Sequence, residues 1–554
     1  MKTLNNYQKR LIFSKIISDV WNAKRCYGNF KLTLILKPIK MRTLKILSLA
    51  LLCITNVLAQ SHDEALNKIK SLEKDFETVL TTSKAAGFSI AIVKGTEIIY
   101  TKGFGYSDIE NKTPATSNTV FAIGSSTKAF TASLMGLLRD QGEIDFETSP
   151  RTYIPELKFF NSEMDTQITI KDLMTHRTGL PRHSQAWKTF ETKSKDEFIA
   201  RLAHQEPVAS VRSKFGYNNF MYFVQGVVAE KLTNKSWGQN IEQNLFEPLQ
   251  MSSSTATIEG LKKSNEAALG YYFDNGVTTE IDYKDIGIMS PAGGINSSVN
   301  DMSKWMIAWL NKGQYNGKQI LPAKYVKEAM SSQMIISGKF PRKTDPSSFM
   351  YNYGYGWFIT SYKGHYRVDH GGNIEGFTAN IALYPADDLG IVVLSNQNRS
   401  GVPQIITNIV ADKLFDTDET NWIGKLEKLI EQQTKTTEPE PIVSIIPNHD
   451  LKDYTGTYEH KGYGTFDVVT KNDSLFAKFP SKKLWLNPVH PNVFETFYFI
   501  DNKVVAKYQD KSINFITNMK GEISGLKIKL ERTLDPIIFN REPLETNLAD
   551  QAKL

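Results

Sequence analysis

Cysteine is nearly missing from this 554-residue chain: there are two, Cys26 and Cys53, and both precede Ala59. Beyond that point there is no thiol, which excludes disulfide staples, a cysteine nucleophile and a cysteine-ligated metal. Long apolar runs are also lacking. The most extended, Ile46–Leu58, falls short of the roughly 18 residues that a spanning helix needs. The histidines beyond residue 59 show no metal-ligand spacing, no Gly-rich phosphate loop occurs, and there is neither an internal repeat nor a low-complexity tract. A basic surplus is missing once position is considered. Residues 1–59 hold 11 of the 66 Lys and Arg but one acidic residue of 59, Asp19, leaving 55 basic against 58 acidic residues, a net charge of −3. Nothing there recommends a nucleic-acid partner.

What the first 59 residues do contain is a leader. Arg42 and Lys45 follow Met41, the apolar run comes next, and Val57-Leu58-Ala59 places small residues where a signal peptidase cuts. Residues 41–59 therefore read as a signal peptide. The protein is expected to be exported, periplasmic or secreted, with no stable membrane span once the signal is removed. Residues 1–40 have no such rationale and are expected to precede the true start. Leu52 is too bulky for the usual lipoprotein signal before Cys53.

The remainder is ordinary globular sequence, 41% hydrophobic and 23% charged over the whole chain, and too long for one core. The expected layout is a folded domain over 60–430, a linker over 431–450 rich in Lys, Thr, Glu and Pro, and a second domain over 451–545. Leu66, Ile69, Leu72, Phe76 and Leu80 recur at helical spacing. Gly87–Val93 and Glu97–Gly105 read as strands around a Lys94-Gly95 turn, and Ser126–Gly142 as a helix. Helical signals recur near 171–175, 195–204, 219–233 and 301–312. Phe377–Tyr384 and Gly390–Leu394 form a second strand pair, followed by a helix over Pro403–Phe415. Strands at both ends with helices between predict an α+β fold: one antiparallel sheet closed by the two termini, flanked by helices, with an all-helical insertion. Short strand-like runs after residue 451 predict a small all-β barrel.

Chemistry enters at Gly124-Ser125-Ser126-Thr127-Lys128, where the first long apolar helix begins. Ser-x-x-Lys sets both side chains one turn apart on a single helix face. A serine hydroxyl attacks only when a base takes its proton, and a lysine is a base only when burial or nearby positive charge keeps it neutral. Taken alone, the pattern equally fits a capping serine with an exposed lysine. Two further segments follow in order, Phe215-Gly216-Tyr217-Asn218-Asn219 and Asp369-His370-Gly371-Gly372.

With these three in place, residues 65–415 resemble the serine β-lactamase and penicillin-binding family, in its class C-like branch with esterases and D-aminopeptidases. Leu173–Pro181, Ala292-Gly293-Gly294-Ile295 and Tyr353–Trp357 look like the same family. The resemblance implies that Ser125 is acylated and that Lys128 and Tyr217 share acid–base work, with either able to take the serine proton. It implies that Asn219 holds Lys128 and the substrate amide. The backbone N–H groups of Ser125 and Asn373 would form an oxyanion hole beside Gly372. His370 stands where many members carry lysine. A neutral histidine suits a substrate carboxylate poorly, which turns the expectation from β-lactams toward esters, amides or D-amino-acid peptides. No cofactor and no metal are expected, the partner is a small-molecule or peptide substrate, and the oligomeric state is left open. Two alternatives stand: a DD-peptidase or weak β-lactamase, and a non-catalytic ligand-binding protein that keeps the fold. Tyr454–Tyr458 and Gly462–Phe466 resemble the lipocalin-like domain appended to such hydrolases. It is expected either to pack near the site's mouth and restrict substrate size, or to be a passive appendage.

Overall fold

Gly87–Val93 is apolar at almost every position, the pattern of a strand covered on both faces. In the computed structural model, which describes residues 63–338, 349–418, 420–434, 442–500 and 503–543, it forms β1 (Gly87–Lys94), buried at every residue but Lys94. The leader read over 1–59 lies outside the described residues. β1 turns into β2 (Glu97–Asp108) and pairs on its other side with a late strand, so N- and C-terminal segments close one sheet.

The helices α1 (Glu73–Ser83), α2 (Thr127–Asp140), α3 (Asn219–Thr233) and α4 (Val299–Leu310) come before the rest of that sheet. The late strands are β3 (Met334–Gly338), β4 (Met350–Tyr353), β5 (Phe358–Tyr362), β6 (His365–Ile374), β7 (Phe377–Tyr384) and β8 (Leu389–Ser395). The sheet runs β3-β4-β5-β6-β7-β8-β1-β2 and ends on a short strand at Thr113–Pro114, each neighbour antiparallel. Alternation along β1 and β8 divides the core. Ile90, Ile92, Ile391 and Val393 join one cluster with Phe76 of α1 and with Ile406 and Val410 of α5 (Val402–Leu414). Ala91, Val93, Val392 and Leu394 join the other with Phe130 of α2 and Trp305 of α4, whose rings stack at 3.8 Å. A further helix, α6 (Trp422–Thr434), was not expected; its last turn occupies the start of the segment read as linker.

The eight strands β9 (Gly456–His460), β10 (Gly464–Lys471), β11 (Ser474–Phe479), β12 (Lys482–His490), β13 (Val493–Ile500), β14 (Lys503–Thr517), β15 (Ile523–Ile528) and β16 (Ile537–Arg541) close into a barrel when β9 meets β16. Eight strands enclose a space that side chains can fill. Here Tyr458, Phe466, Phe494, Phe515 and Phe539 do so, all buried. No helix among the described residues is long and apolar enough to cross a membrane.

Candidate active site

Ser125 stands on a single 3-10 turn, Gly124–Ser126, that leads into α2. Two glycines let the backbones meet there. Gly124 has φ +51°, and a Cβ on it would lie 2.7 Å from the Asn373 nitrogen; a Cβ on Gly372 would lie 1.8 Å from the Ile123 carbonyl oxygen. Only glycine tolerates both the conformation and the approach. The turn is pinned from both sides. Ser126 Oγ donates to the His370 carbonyl on β6 at 3.1 Å, and the Ile295 N–H donates to Thr127 Oγ1 at 3.1 Å. Ser126, not Ser125, occupies the cap position of α2, and its side chain makes no capping bond. The capping reading of the motif is therefore not the one realised.

Lys128 is fully buried. Its Nζ lies 3.2 Å from Ser125 Oγ and donates to the Ala292 carbonyl at 2.7 Å. It sits 4.8 Å from the ring centre of Tyr217 and 5.4 Å from that of Tyr222. No carboxylate pairs with it among the described residues. Burial first, and the positive charge of Arg182 second, hold its pKa well below the ordinary lysine range. Burial therefore favours the neutral amine, whose nitrogen lies beside the serine hydroxyl.

Tyr217 is half-buried, and the Ser125 side chain acts on its hydroxyl. Burial pushes the phenol up to about 12, partly offset by Ser125 and by Arg182. The phenol therefore keeps its proton. His176 packs against the Tyr217 ring at 4.4 Å, and the Arg182 guanidinium lies 4.7 Å from the ring centre on the tyrosine's face. His176 also fixes the segment's path, for its Nδ1 accepts the Asn218 N–H at 3.1 Å. Asn218 then caps α3, donating through Nδ2 to the Pro181 carbonyl and accepting the Phe220 N–H at 2.8 Å.

Asn219 opens α3 and shares the cleft wall with Ser125. The bond to Lys128 expected from the sequence does not form: Asn219 Oδ1 is buried without a hydrogen-bond partner, and the Lys128 amine takes the Ala292 carbonyl instead. His370 also departs from expectation. Its ring is buried rather than turned to the cleft, with Nε2 3.2 Å from the Tyr353 hydroxyl and Nδ1 2.6 Å from the Gly371 carbonyl. Burial, then the nearby Lys128, push its pKa down to about 3. It is a neutral prop among Tyr217, Tyr353 and Phe358. Asn373 lines the cleft beside Ser125, and its Oδ1 accepts the Arg399 N–H at 2.7 Å.

The cleft holds about 570 Å³ of open space, and three of its charged wall residues carried no signal in the sequence: Lys188, Glu375 and Arg399. Lys188 and its neighbour Trp187 belong to a segment that the barrel grips. The Tyr463 hydroxyl lies 3.0 Å from His183 Nδ1, Glu531 accepts the Gln185 N–H at 2.8 Å, and Ser481 Oγ donates to the Thr189 carbonyl at 3.1 Å. Phe190 is buried against Tyr463, Phe466, Phe479 and Phe539, plugging the barrel's end. The barrel therefore packs against the segment that carries Trp187 and Lys188 of the cleft wall.

The family described as Beta-lactamase matches residues 72–413, and a Domain of unknown function (DUF3471) matches 440–542. The chain is 28% identical over 430 residues to the unguisins hydrolase ungD' of Aspergillus campestris (strain IBT 28561), covering 72% of this chain and 78% of that protein. It is 27% identical over 338 residues to protein flp of Staphylococcus aureus (strain MW2), covering 60% of this chain and 64% of that one. A solved structure, the octameric penicillin-binding protein homologue from Pyrococcus abyssi, aligns with TM-score 0.57 and 22% identity over 85% of this chain and all of that one. That likeness is one of fold.

Proposed function

The chain belongs to the Beta-lactamase family, a footing on which it is a hydrolase at family level, and we propose that it hydrolyses its substrate through an acyl-enzyme on Ser125. One observation carries this: a fully buried amine without a counter-charge, its pKa pushed well below the lysine range by that burial, lies 3.2 Å from a hydroxyl at the wall of an open cleft. In this reading Lys128 takes the proton of Ser125 Oγ as it attacks a carbonyl carbon. Lysine is the better base of the two candidates, because its neutral form is favoured whereas the phenolate of Tyr217 is disfavoured. Tyr217, protonated beside the serine, passes its proton to the leaving group and is reprotonated by the Lys128 ammonium; in deacylation Lys128 takes a proton from the attacking water and a proton returns to Ser125 Oγ as the free acid leaves, restoring all three groups. The close approach of the 372–373 backbone to Ser125 supports an oxyanion hole formed by the Ser125 and Asn373 N–H groups. Asn219 Oδ1, buried without a partner, suits an N–H of the substrate.

The substrates proposed are small esters, amides or D-amino-acid peptides. The relatives named as unguisins hydrolases support hydrolysis over ligand binding alone. The neutral, buried His370 gives no cation at the third motif and so supports these substrates over β-lactams. Incubation with a fluorophosphonate and, separately, a fluorescent penicillin tests both points. The expected result is a fluorophosphonate adduct that mass spectrometry places on Ser125. A stable penicillin adduct there would move the reading to a DD-peptidase, and no adduct from either probe would move it to a binding protein.

A further inference from the structure

Lys188 and Arg399 both line the cleft that holds Ser125, and they arrive from separate segments: Lys188 ends a short helix, Gln185–Lys188, between α2 and α3, and Arg399 lies in the loop after β8. Neither forms an ion pair with a carboxylate among the described residues. The Lys188 amine lies 5.2 Å from the ring centre of Trp187. Arg399 is held through its backbone: its N–H donates to Asn373 Oδ1, and Asn373 Nδ2 donates to Asn398 Oδ1 at 3.2 Å. This places an arginine, at φ +52°, against the same residue whose backbone borders Ser125. Its guanidinium is left for the cleft.

The surroundings do not neutralise these charges. The Lys188 pKa is lowered, by burial first; the Glu375 carboxylate on the cleft wall opposes this, and Arg399, Arg182 and Lys482 add to it as like charges. A second carboxylate, Glu531 of the barrel, feels Lys188, Arg182 and Lys511, but it is spent on the Gln185 N–H. On the cleft wall itself Lys188 and Arg399 stand against Glu375, and Arg182, Lys482 and Lys511 add positive charge that Lys188 or Glu531 feels. Converging like charges beside a low-dielectric wall focus a positive potential into the cleft, and the energy recovered by an incoming anion is largest where the protein supplies no partner.

We propose that the cleft selects substrates bearing an anionic group, a carboxylate in the plainest case, and that Lys188 and Arg399 recognise it. These cations belong to the cleft wall and not to the third motif, where His370 stays buried, and the barrel holds the segment that carries Lys188. This deepens the serine-hydrolase reading and rests on it.

Matched esters test the inference. On the acyl side, mono-para-nitrophenyl adipate is compared with its methyl ester. On the leaving-group side, meta-carboxy-para-nitrophenyl butyrate is compared with para-nitrophenyl butyrate, each rate being divided by its uncatalysed hydrolysis. In one arm the anion is favoured about tenfold in kcat/KM at low salt, and Lys188→Gln or Arg399→Gln lowers that ratio roughly threefold to tenfold, the size of one partly screened charge contact. Raising salt to about 1 M, where screening reaches ~3 Å, lowers it similarly. A preference for the neutral ester in both arms, or a ratio indifferent to both substitutions, would overturn the inference. Ser125→Ala separates the two claims: nitrophenol release that survives it would defeat the acyl-enzyme and leave the ratio to be judged alone. Should no ester be cleaved, calorimetry with adipate and the full chain decides. Saturable binding weakened by Arg399→Gln supports the anion site, and no binding up to ~10 mM sinks it.

Discussion

Asp172 and Lys128 are both fully buried, and burial penalises the charged form of each. Around Asp172 the chain supplies every compensation available. Arg177 Nε lies 2.5 Å away, Arg212 Nη2 lies 2.8 Å away, and the Thr169 N–H and hydroxyl donate at 2.9 and 3.0 Å. Its pKa falls despite burial, because those donors outweigh it together. Lys128 receives no such partner, only a carbonyl, a hydroxyl and two aromatic faces, and its nearest formal charge, Arg182, has the same sign. The two regions teach where this fold keeps a charge for structure and where it suppresses one for chemistry. The paired carboxylate anchors the loop that begins at His176, and the unpaired amine faces the serine.

If that contrast is right, the two sites break differently. Lys128→Met is expected to cost roughly a thousandfold or more in turnover, without loss of fold. The lowered pKa of Lys128 means that, between its folded value and 10.5, the unfolded chain binds one more proton than the native one, so stability rises with pH across that window. The methionine variant lacks this dependence. Its Tm should equal or exceed that of the wild type near neutrality, with the gap closing as pH climbs toward the ordinary lysine value; scanning calorimetry at several pH values checks this. Asp172→Asn is the opposite case. It leaves two arginines without their carboxylate and should lower stability by about 3 kcal/mol or more. The stabilisation from Asp172 is present above the ordinary carboxylate pKa and is lost as pH falls through its depressed value, which acid unfolding of wild type and variant would show.

Smaller effects sharpen the same comparison. Tyr217→Phe should lower kcat about a hundredfold with a lesser change in KM, because a proton relay is lost but the neutral lysine remains; steady-state kinetics read both. Arg182→Ala removes the like charge nearest Lys128 and should move the acid limb of the pH–rate profile upward while leaving the fold intact.

Much of this contrast was written in local pattern. Ser125 and Lys128 lie one turn apart on a helix whose apolar spacing is plain, and α3 and α4 were equally visible. Tyr217 belongs to a loop, and its place in the site was readable only through the order of three motifs. β6 escaped notice because Arg367, Asp369, His370 and two glycines do not look like a strand; its inward residues are polar and are satisfied by Thr360 and Tyr353, contacts that only the folded sheet provides. β12 was missed because Pro488 interrupts it, and the structure puts a bulge there. In β14 the run Gln509-Asp510-Lys511 looks like a turn in sequence, yet the strand continues through it. Lys188 ends a short helix and Arg399 lies in a loop, neither with periodicity, so nothing local marked them. Their meaning comes from segments far apart in sequence meeting at one cleft.

The most direct test of the central claim is the pH dependence of Ser125 acylation, measured as the second-order rate of fluorophosphonate labelling. A neutral lysine base predicts a rate that rises from acid pH, levels off before pH 9 and stays flat, since the amine already carries no proton. A rate that keeps climbing tenfold per pH unit toward pH 10 would mean that Lys128 is an ordinary charged lysine, or that the Tyr217 phenolate is the base, and the account given for this site would be wrong.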